Sequence, residues 1–574
     1  MKRHIVIRHF ARILLPAALV ITVSCAKDGP RRLLEADAGG GTPPVAAPEP
    51  VVQEPAEVAA EPEPADVTAV AEPEPPPPPP VPPWEMFKAH NLPATDPRAN
   101  LGFSHETQVD GELGPIHFGM PEDYSGAGIT TFRANNFRNQ SSLGAAVVAA
   151  ESLAVSYTMS VGSLGKWTGV GWSGQPAVVK WDFELQKKMN LLPGKRDREG
   201  LVEVIYGTLD GRIYFFDMAD GKPTRQPINL GAPIKGSVTV DPRGYPLLYV
   251  GQGIPSDNKQ IGYHIFSLFD GSKQFFINGL DAFALRKWGA FDANPIFDTA
   301  NDRMILAGEN GVVYNILLNT RYDAAAGKAS IAPVISRYRY STDPARRLGM
   351  EGSVAAFSHY LFFNDNSGIV QCIDLRTFET VWIRDCTDDT DAAVVLDWEA
   401  EKQRLALYTA SEVDIQGPGG RSFIRKLDAS NGDLLWEHSY ACGFDSHANG
   451  GALAVPVVGR GDISNLVVFF IGRVLGRGGG GALVAFDRES GKIVWETIMP
   501  NYGWSSPVAV YTEDGKSYLI VSDSIGDMYL IRGESGKIVN KISLGANIEA
   551  SAVAVGNKLV IGTRGQLIVG VEIF

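Results

Sequence analysis

The sequence contains few cysteines, and this limits the kinds of protein that it can encode. Its 574 residues include only four, Cys25, Cys372, Cys386 and Cys442. So few exclude a disulfide-rich scaffold, and the three in the body cannot all pair with one another. Cys386 and Cys442 follow the last strands of two successive repeats described below. One disulfide between neighbouring repeats and three free thiols are therefore the two alternatives.

Motifs of the common enzyme classes are also missing. The chain has no Gly-x-x-x-x-Gly-Lys-Ser/Thr phosphate loop, no His-Glu-x-x-His zinc motif and no Gly-x-Ser-x-Gly nucleophile motif. The nine histidines form no cluster in the sequence, and His447 stands alone in a polar segment. We therefore predict a protein that is not an enzyme and that needs no cofactor.

Acidic residues outnumber basic ones outside the N-terminus. The chain carries −13 in total; residues 1–32 contribute +6 and residues 33–87 contribute −11, which leaves −8 for residues 88–574. Nucleic acids bind basic surfaces, and anionic lipid head groups attract them too. A mildly acidic body argues against nucleic acid as a partner and against direct binding to lipid head groups.

The N-terminus has the features of an export signal. A basic start precedes an apolar run at residues 13–23, too short to span a bilayer, and Ser24-Cys25 follows. This resembles a bacterial lipobox, whose cysteine is lipidated after cleavage; an ordinary signal peptide is the alternative. We predict a signal peptide at residues 1–24 and a lipid anchor on Cys25. Ala26, in place of Asp, favours the outer membrane facing the periplasm.

Residues 25–90 are predicted to form a disordered tether. Residues 33–87 contain eleven acidic residues and no basic ones, and residues 75–80 are all proline. Such a segment buries too little apolar surface to fold, and proline together with like charges keeps it extended. The lipid anchor would then be the only contact between the folded body and the membrane.

The rest of the chain is repetitive. Units of about 50 residues each contain four apolar, β-rich runs, and eight second strands can be counted along the chain. Three units share an Asp and a Trp eight residues apart, and two of these keep a Gly four residues after the Asp: Asp374 and Trp382; Asp428, Gly432 and Trp436; Asp487, Gly491 and Trp495. We predict an all-β, eight-bladed β-propeller of four-stranded antiparallel blades at residues 143–574, with seven blades as the alternative.

The last unit of the propeller is one strand short. A spare apolar strand at residues 153–161 precedes the first complete unit. We predict that this N-terminal strand completes the last blade, since closure removes an exposed sheet edge. Residues 91–142 show no strand periodicity and are predicted to form an arm packed on one face of the propeller.

The Asp-x-x-x-Gly-x-x-x-Trp units resemble the pyrroloquinoline-quinone (PQQ)-like repeat. That family includes eight-bladed quinoprotein dehydrogenases and a cofactor-free propeller lipoprotein of the outer-membrane β-barrel assembly machinery. The dehydrogenases carry an adjacent Cys-Cys pair over the cofactor, and many carry a Cys-x-x-Cys-His haem site; neither motif occurs in this chain. The resemblance therefore implies the fold, with PQQ an unlikely ligand.

The innermost strands of a propeller line its axis, and aligning them predicts one candidate site. The position before the small residues that begin each inner strand reads Ser173, Lys235, Asp292, Glu351, Asp391, Asn449, Trp504 and Glu549. Radial symmetry would bring these side chains to one mouth of the channel. Converging carboxylates there could hold Ca²⁺, a cationic peptide or a sugar. The alternative is a hydrated mouth that binds nothing.

These observations favour a protein-binding role. We expect a monomeric envelope lipoprotein whose propeller acts as a scaffold or assembly factor for other envelope proteins. Two alternatives remain open at this point: a ligand-binding propeller with its site at the acidic mouth, and a PQQ-dependent dehydrogenase.

Overall fold

The computed structural model describes residues 80–574 except 125, 127, 255–259, 344–347, 445–447 and 479. Residues 1–77 and 78–574 separate as two units, and the described residues all belong to the second. The predicted signal peptide, Cys25, His447 and the tether up to residue 79 lie outside the described residues. In the described part of the chain, no helix is long and apolar enough to cross a membrane.

Eight antiparallel sheets of four strands follow one another along the chain, which confirms the predicted eight-bladed propeller. Each of blades 1–7 begins with its inner strand and ends with its outer strand. Blades 1–4 comprise Ala177–Lys180, Val202–Gly207, Arg212–Asp217 and Ile228–Asn229; Thr239–Val240, Leu247–Gly251, Gly262–Ser267 and Lys273–Asn278; Ile296–Asp298, Arg303–Ala307, Val312–Leu317 and Val334–Ser341; and Ala355–Phe357, Tyr360–Asn364, Ile369–Asp374 and Glu379–Asp385. Blades 5–7 comprise Val395–Glu399, Arg404–Ala410, Arg421–Asp428 and Leu434–Ala441; Val457–Val458, Leu466–Ile471, Gly481–Asp487 and Ile493–Met499; and Val508–Tyr511, Ser517–Ser522, Asp527–Arg532 and Ile538–Ser543.

Blade 8 joins the two ends of the propeller, as predicted. Its first three strands are Val553–Val555, Lys558–Gly562 and Leu567–Ile573, and Leu153–Ser160 pairs antiparallel with the last of these as the outer strand. On that strand Tyr157 packs against Gly221 in the turn of blade 1. The ring is therefore closed both by strand pairing and by side-chain packing.

Helices and minor hairpins are short and lie in the segment before the propeller or in loops that connect its strands. The α-helices are Pro83–Met86, Phe183–Gln186 and Pro193–Arg196; the 3₁₀-helices are Pro97–Asn100, Pro121–Tyr124, Ala400–Lys402 and Gly461–Ile463; the two-stranded hairpins are Ser163–Leu164 with Trp167–Thr168 and Arg321–Asp323 with Lys328–Ser330.

The repeat tryptophans connect each blade to the next. The indole N–H of Trp382 donates to the carbonyl of Ala429 at 2.9 Å, that of Trp436 to Arg488 at 3.2 Å, and that of Trp495 to Gly533 at 3.0 Å. Each acceptor lies in the turn between the third and fourth strands of the following blade. The repeat Asp organises that turn: the Asp428 carboxylate accepts from the Ser430 N–H, and the Asp487 carboxylate from the Ser490 N–H.

The predicted tether extends too far towards the propeller. Phe87 is buried, with its ring 5.6 Å from that of Tyr360, and the N–H of His90 donates to the carbonyl of Ser430. Residues 83–90 are therefore packed on blades 4 and 5. The prediction extends the tether to residue 90 because the preceding segment is rich in proline and acidic residues. It overlooks two aromatic residues, Trp84 and Phe87, that pack residues 83–90 against the propeller.

The arm does not lie on a propeller face. Its first part, Ser104–Gln108, pairs antiparallel with the outer strand of blade 3 and makes that sheet five-stranded. Its last part enters the channel. Gly128–Ile129 pairs with the inner strand of blade 1, and Ser142–Leu143 pairs parallel with the inner strand of blade 8.

Between these two short strands, residues 130–141 run past the other inner strands. The N–H groups of Val240, Ala356 and Leu396 donate to the carbonyls of Thr130, Asn136 and Phe137, and the Ala509 N–H donates to Ser141 Oγ. Arg138 reaches the carbonyl of Pro295 in blade 3, and Arg133 that of Val455 beside the inner strand of blade 6. Residues 128–143, which we name the channel plug, thus contact all eight blades.

Candidate functional site

A cavity of about 460 Å³ opens at one mouth of the channel. Six of the predicted mouth residues line it: Lys235, Glu351, Asp391, Asn449, Trp504 and Glu549. Asp292 lies behind this wall, 1% exposed, and forms an ion pair with Lys235. Ser173 is not a lining residue, although its neighbour Trp172 is. Residues that are far apart in the sequence but equivalent in the inner strands therefore lie together at this mouth of the channel.

The channel plug lies further along the inner strands than the mouth. In blade 2 the plug bonds to Val240, five residues after Lys235, and in blade 4 to Ala356, five residues after Glu351. The same offset holds in blades 1, 5, 7 and 8. The mouth residues thus share one level, and the plug closes the channel beyond them.

Residues that the sequence analysis missed come from the loop after each second strand. Glu309, Asn366, Glu412 and Arg564 each follow the end of that strand by two residues. Glu412 and Arg564 line the cavity, and the other two contact its acidic wall. This common offset is visible in the sequence. Aligning the second strands, as was done for the inner strands, would have identified these four residues.

Lys235 is held by two carboxylates of the wall. Its ammonium pairs with Asp292 and lies 3.4 Å from Glu351. Burial opposes the charge on Lys235, but the two acids outweigh burial and raise its pKa well above the usual value. Burial also raises the pKa of Asp292, to about 6, against the effect of Lys235. The first part of the wall is therefore a buried ion-pair network.

Beyond Glu351 the wall continues with Asp389, Asp391 and Glu412. None of these three forms an ion pair within the described part of the chain. The Asn366 amide donates to Glu351 at 3.1 Å and to Asp391 at 3.2 Å. Burial, followed by the neighbouring acids, raises the pKa of Asp389, of Asp391 and of Glu412 well above the usual range. Crowding of like charges in a desolvated place has this effect on carboxylic acids.

Glu412 and Asp389 are equally buried, and Glu412 also lines the cavity. Its side chain is 3% exposed, and its Oε1 accepts from the Asn449 amide at 3.1 Å. Its Oε2 has no hydrogen-bond partner within the described part of the chain. Buried polar atoms are nearly always paired, so this oxygen marks a place where a donor is missing.

The opposite side of the cavity is aromatic and charge-balanced. Trp167, Trp172, Tyr502 and Trp504 line it, with the rings of Tyr502 and Trp504 5.9 Å apart. Arg564 pairs with Glu549 at 3.0 Å, which neutralises the acid on this side. The cavity therefore combines an acidic wall with an aromatic wall.

Residues 420–571 match the model of a family described as the outer membrane protein assembly factor BamB. The chain is similar to the PQQ-like repeat propellers, and to BamB in particular, over these residues. The match runs from the third strand of blade 5 into the third strand of blade 8, and it contains the two units that keep Asp, Gly and Trp together. No curated protein matches the chain significantly.

Three solved structures are similar to this propeller to different extents. BamB from Moraxella catarrhalis is 15% identical, with a TM-score of 0.42 over 70% of this chain and 97% of its own. The quinohemoprotein alcohol dehydrogenase ADHIIG from Pseudomonas putida HK5 is 12% identical, with a TM-score of 0.51 over 78% of this chain and 80% of its own. The computationally designed Ika8 protein is 10% identical, with a TM-score of 0.41 over 78% of this chain and 100% of its own.

PQQ does not fit the residues that this propeller presents. Cys372, Cys386 and Cys442 are all buried and free, so Cys386 and Cys442 form no disulfide. None of the three lines the mouth cavity. Burial raises the pKa of the Cys442 thiol to about 11, which makes it unreactive. The adjacent cysteine pair typical of the quinoprotein dehydrogenases has no counterpart at the mouth.

Replacing Glu412 by glutamine is expected to stabilise the protein at pH 7.5 by about 1–3 kcal/mol. Because the folded-state pKa of Glu412 lies above its unfolded value, the folded state binds more protons between the two pKa values. The stability contributed by this group is therefore present at about pH 4 and falls as the pH rises. Urea unfolding at both pH values measures the difference.

The matched control for this prediction is Glu379→Gln, because Glu379 lies on the outer strand of blade 4 with its side chain 72% exposed. It should leave the free energy of unfolding unchanged at both pH values. Equal stability of wild type and Glu412→Gln at pH 7.5 would show that Glu412 carries no unfavourable charge in the folded protein.

Proposed function

We propose that this protein is a non-catalytic cell-envelope lipoprotein whose propeller binds other proteins as a scaffold or assembly factor. The observation that carries the proposal is the outer strand of blade 6, Ile493–Met499. Ile493, Val494 and Ile498 are 46%, 51% and 44% exposed on it. Within the described residues, this strand pairs only with Gly481–Asp487. An apolar strand with a free edge is a surface to which an extended segment of another protein can add.

The outer edge of one blade already accepts such a strand from this same chain. On blade 3, Ser104–Gln108 pairs with the outer strand over five residues, from Arg337 to Ser341. Arg339 forms an ion pair with Glu106 there, which fixes the added strand. Blade 6 has the same strand order and a more apolar edge, so we infer that it receives a strand from a partner.

Several further observations support a binding role in the envelope. The matching family is described as an outer membrane protein assembly factor. The sequence lacks the enzyme motifs sought above, and the three cysteines of the propeller are buried apart from the mouth. Export through residues 1–24 and anchoring through Cys25 would place the blade edges in the periplasm, where envelope proteins are assembled.

Replacing both Val494 and Ile498 by lysine is expected to abolish partner capture at blade 6. Lysine is a residue that blocks strand addition at natural sheet edges. A photo-crosslinking residue at Thr497, introduced with and without the two lysines, would be activated in intact cells and its adducts sequenced. We expect a discrete partner segment in the parent and about tenfold less of it in the double variant.

The matched control is Val334→Lys. Val334 begins the outer strand of blade 3 and is also exposed, but the edge that follows is covered by Ser104–Gln108. This variant should capture the same segment at blade 6 as the parent does. Equal capture by Val494→Lys/Ile498→Lys and its parent would contradict the proposed docking edge.

A further inference from the structure

The acidic wall of the mouth contains more carboxylates than the described cations around it can neutralise. Lys235 is already engaged by Asp292 and Glu351, and Arg564 by Glu549. Asp389, Asp391 and Glu412 bond to amides and lie beside other acids, and Lys235, which is already paired, acts on Asp391 as well. Oxygens of Asp389 and Glu412 lie within 4.8 Å of each other and of an Asp414 oxygen. A positive charge placed here would relieve the repulsion between these groups.

Glu412 provides an independent sign that a ligand belongs in the cavity. It lines the cavity, its side chain is buried, and its Oε2 meets no donor among the described residues. A buried carboxylate oxygen without a donor is costly, and a ligand N–H would satisfy it. The indole N–H of Trp504, also on the cavity wall, likewise has no acceptor in the described part of the chain.

The protein itself shows how this wall holds an ammonium group. Lys235 Nζ sits between two carboxylates and 5.9 Å from the centre of the Trp172 ring. An aromatic face attracts a cation at such a distance. The wall continues from Glu351 to Asp391 and Glu412, and Tyr502 and Trp504 line the same cavity. Carboxylates and aromatic rings like those that hold Lys235 are thus present a second time, and no second cation of the described residues is paired with them.

We propose that the mouth cavity binds an organic cation, a protonated primary amine, whose charge lies between Asp391 and Glu412 and whose apolar stem packs on Trp504. A cavity of about 460 Å³ has the size of a small-molecule site and far exceeds a bare metal ion. Calcium requires six to eight oxygen ligands, whereas the group around Glu412 offers one oxygen from each of three acids. The aromatic wall can pack against the stem of an organic ligand, whereas its rings offer no carboxylate or carbonyl oxygen to a metal ion.

Titration calorimetry of the full propeller with benzylamine tests the proposal, with benzyl alcohol and calcium chloride as comparison ligands. We expect saturable binding of benzylamine with a Kd below about 1 mM, and none of benzyl alcohol, which has the same shape without the charge. Asp391→Asn and Glu412→Gln should each weaken benzylamine binding about tenfold or more. Trp504→Ala should weaken it too, because the stem loses its packing surface.

Glu379→Gln, on an exposed outer strand, is the control and should bind benzylamine as the wild type does. A rise in the melting temperature with benzylamine, lost in Glu412→Gln, would show that the variant is folded but no longer binds. The proposal is overturned if benzylamine does not bind, or if Glu412→Gln binds it unchanged. Tight calcium binding that is lost in Glu412→Gln and kept in Trp504→Ala would instead assign the site to a metal. The site is separate from the edge of blade 6, so either proposal can fail alone.

Discussion

Replacing Arg138 by alanine is expected to lower the free energy of unfolding by about 4 kcal/mol or more. All five N–H groups of this guanidinium donate hydrogen bonds inside the channel. The acceptors are the carbonyls of Val354, Phe132, Asn294 and Pro295, at 2.8, 2.8, 2.8 and 3.1 Å, and Thr131 Oγ1 at 3.2 Å. Alanine would remove the Arg138 donor from the buried carbonyls of Val354, Phe132 and Asn294, each at a cost of about 1–3 kcal/mol, and would open a cavity at the axis. The Pro295 carbonyl would keep its bond from the Thr131 hydroxyl.

The position of Arg138 explains why one side chain has so large an effect. Its guanidinium ties the channel plug to blade 3 through Pro295 and to blade 4 through Val354. No ion pair with an acid forms at Arg138 among the described residues, and burial lowers its pKa to about 9. Its stabilising role therefore lies in the hydrogen bonds to backbone carbonyls, which only a planar group with five donors can make together.

Two measurements test the role of Arg138. Urea unfolding gives the loss of stability. Arg376→Ala is the control, because Arg376 is exposed and its guanidinium pairs with Asp374 alone among the residues that the structure describes. Hydrogen exchange then reports on the plug itself, because the N–H groups of Ala356 and Leu396 donate to it. Both amides should exchange faster in Arg138→Ala. A loss of stability no larger than that of Arg376→Ala would show that the plug does not hold the blades together.

The blades were predictable from the sequence because their signals are local and repeated. Each tryptophan, aspartate and glycine of the repeat lies within one strand-turn-strand unit, and the same spacing recurs from blade to blade. The spare strand at the start of the chain was equally visible, since a propeller cannot leave a three-stranded blade open. Alignment of the inner strands also brought six mouth residues to one cavity, because radial symmetry converts equal positions in the repeat into equal positions around the axis.

The channel plug was not predictable in the same way. Its residues have no period, and they bond mainly to backbone carbonyls and N–H groups of blades that are far away in the sequence. Such contacts leave no pattern in side-chain type. Charge pairing at the mouth was hidden for a related reason: Lys235 and Asp292 stand at equal positions in neighbouring repeats, and only the folded ring shows that one neutralises the other.

Removing the Trp436 side chain is expected to destabilise the propeller by about 3–5 kcal/mol, because it opens the joint between blades 5 and 6. The ring is 8% exposed and stacks on Phe486, with centroids 5.6 Å apart. It also covers Gly491 so closely that a Cβ there would lie 2.6 Å from the ring. The Trp436 indole of blade 5 therefore needs a residue without a Cβ at position 491 of blade 6.

A double-mutant cycle separates the steric contact between Trp436 and residue 491 from the backbone cost of replacing a glycine of positive φ. Gly491 has φ of +70°, so Gly491→Ala incurs a backbone cost of about 1–2 kcal/mol in any background and a steric clash only when Trp436 is present. Gly545→Ala supplies the backbone cost alone, since Gly545 has φ of +83° and nothing within 4 Å of a Cβ. We expect Gly491→Ala to be more destabilising than Gly545→Ala in the wild type and equal to it in Trp436→Ala, with a coupling energy of about 1 kcal/mol or more. Additive effects would show that the blades are not joined through this contact.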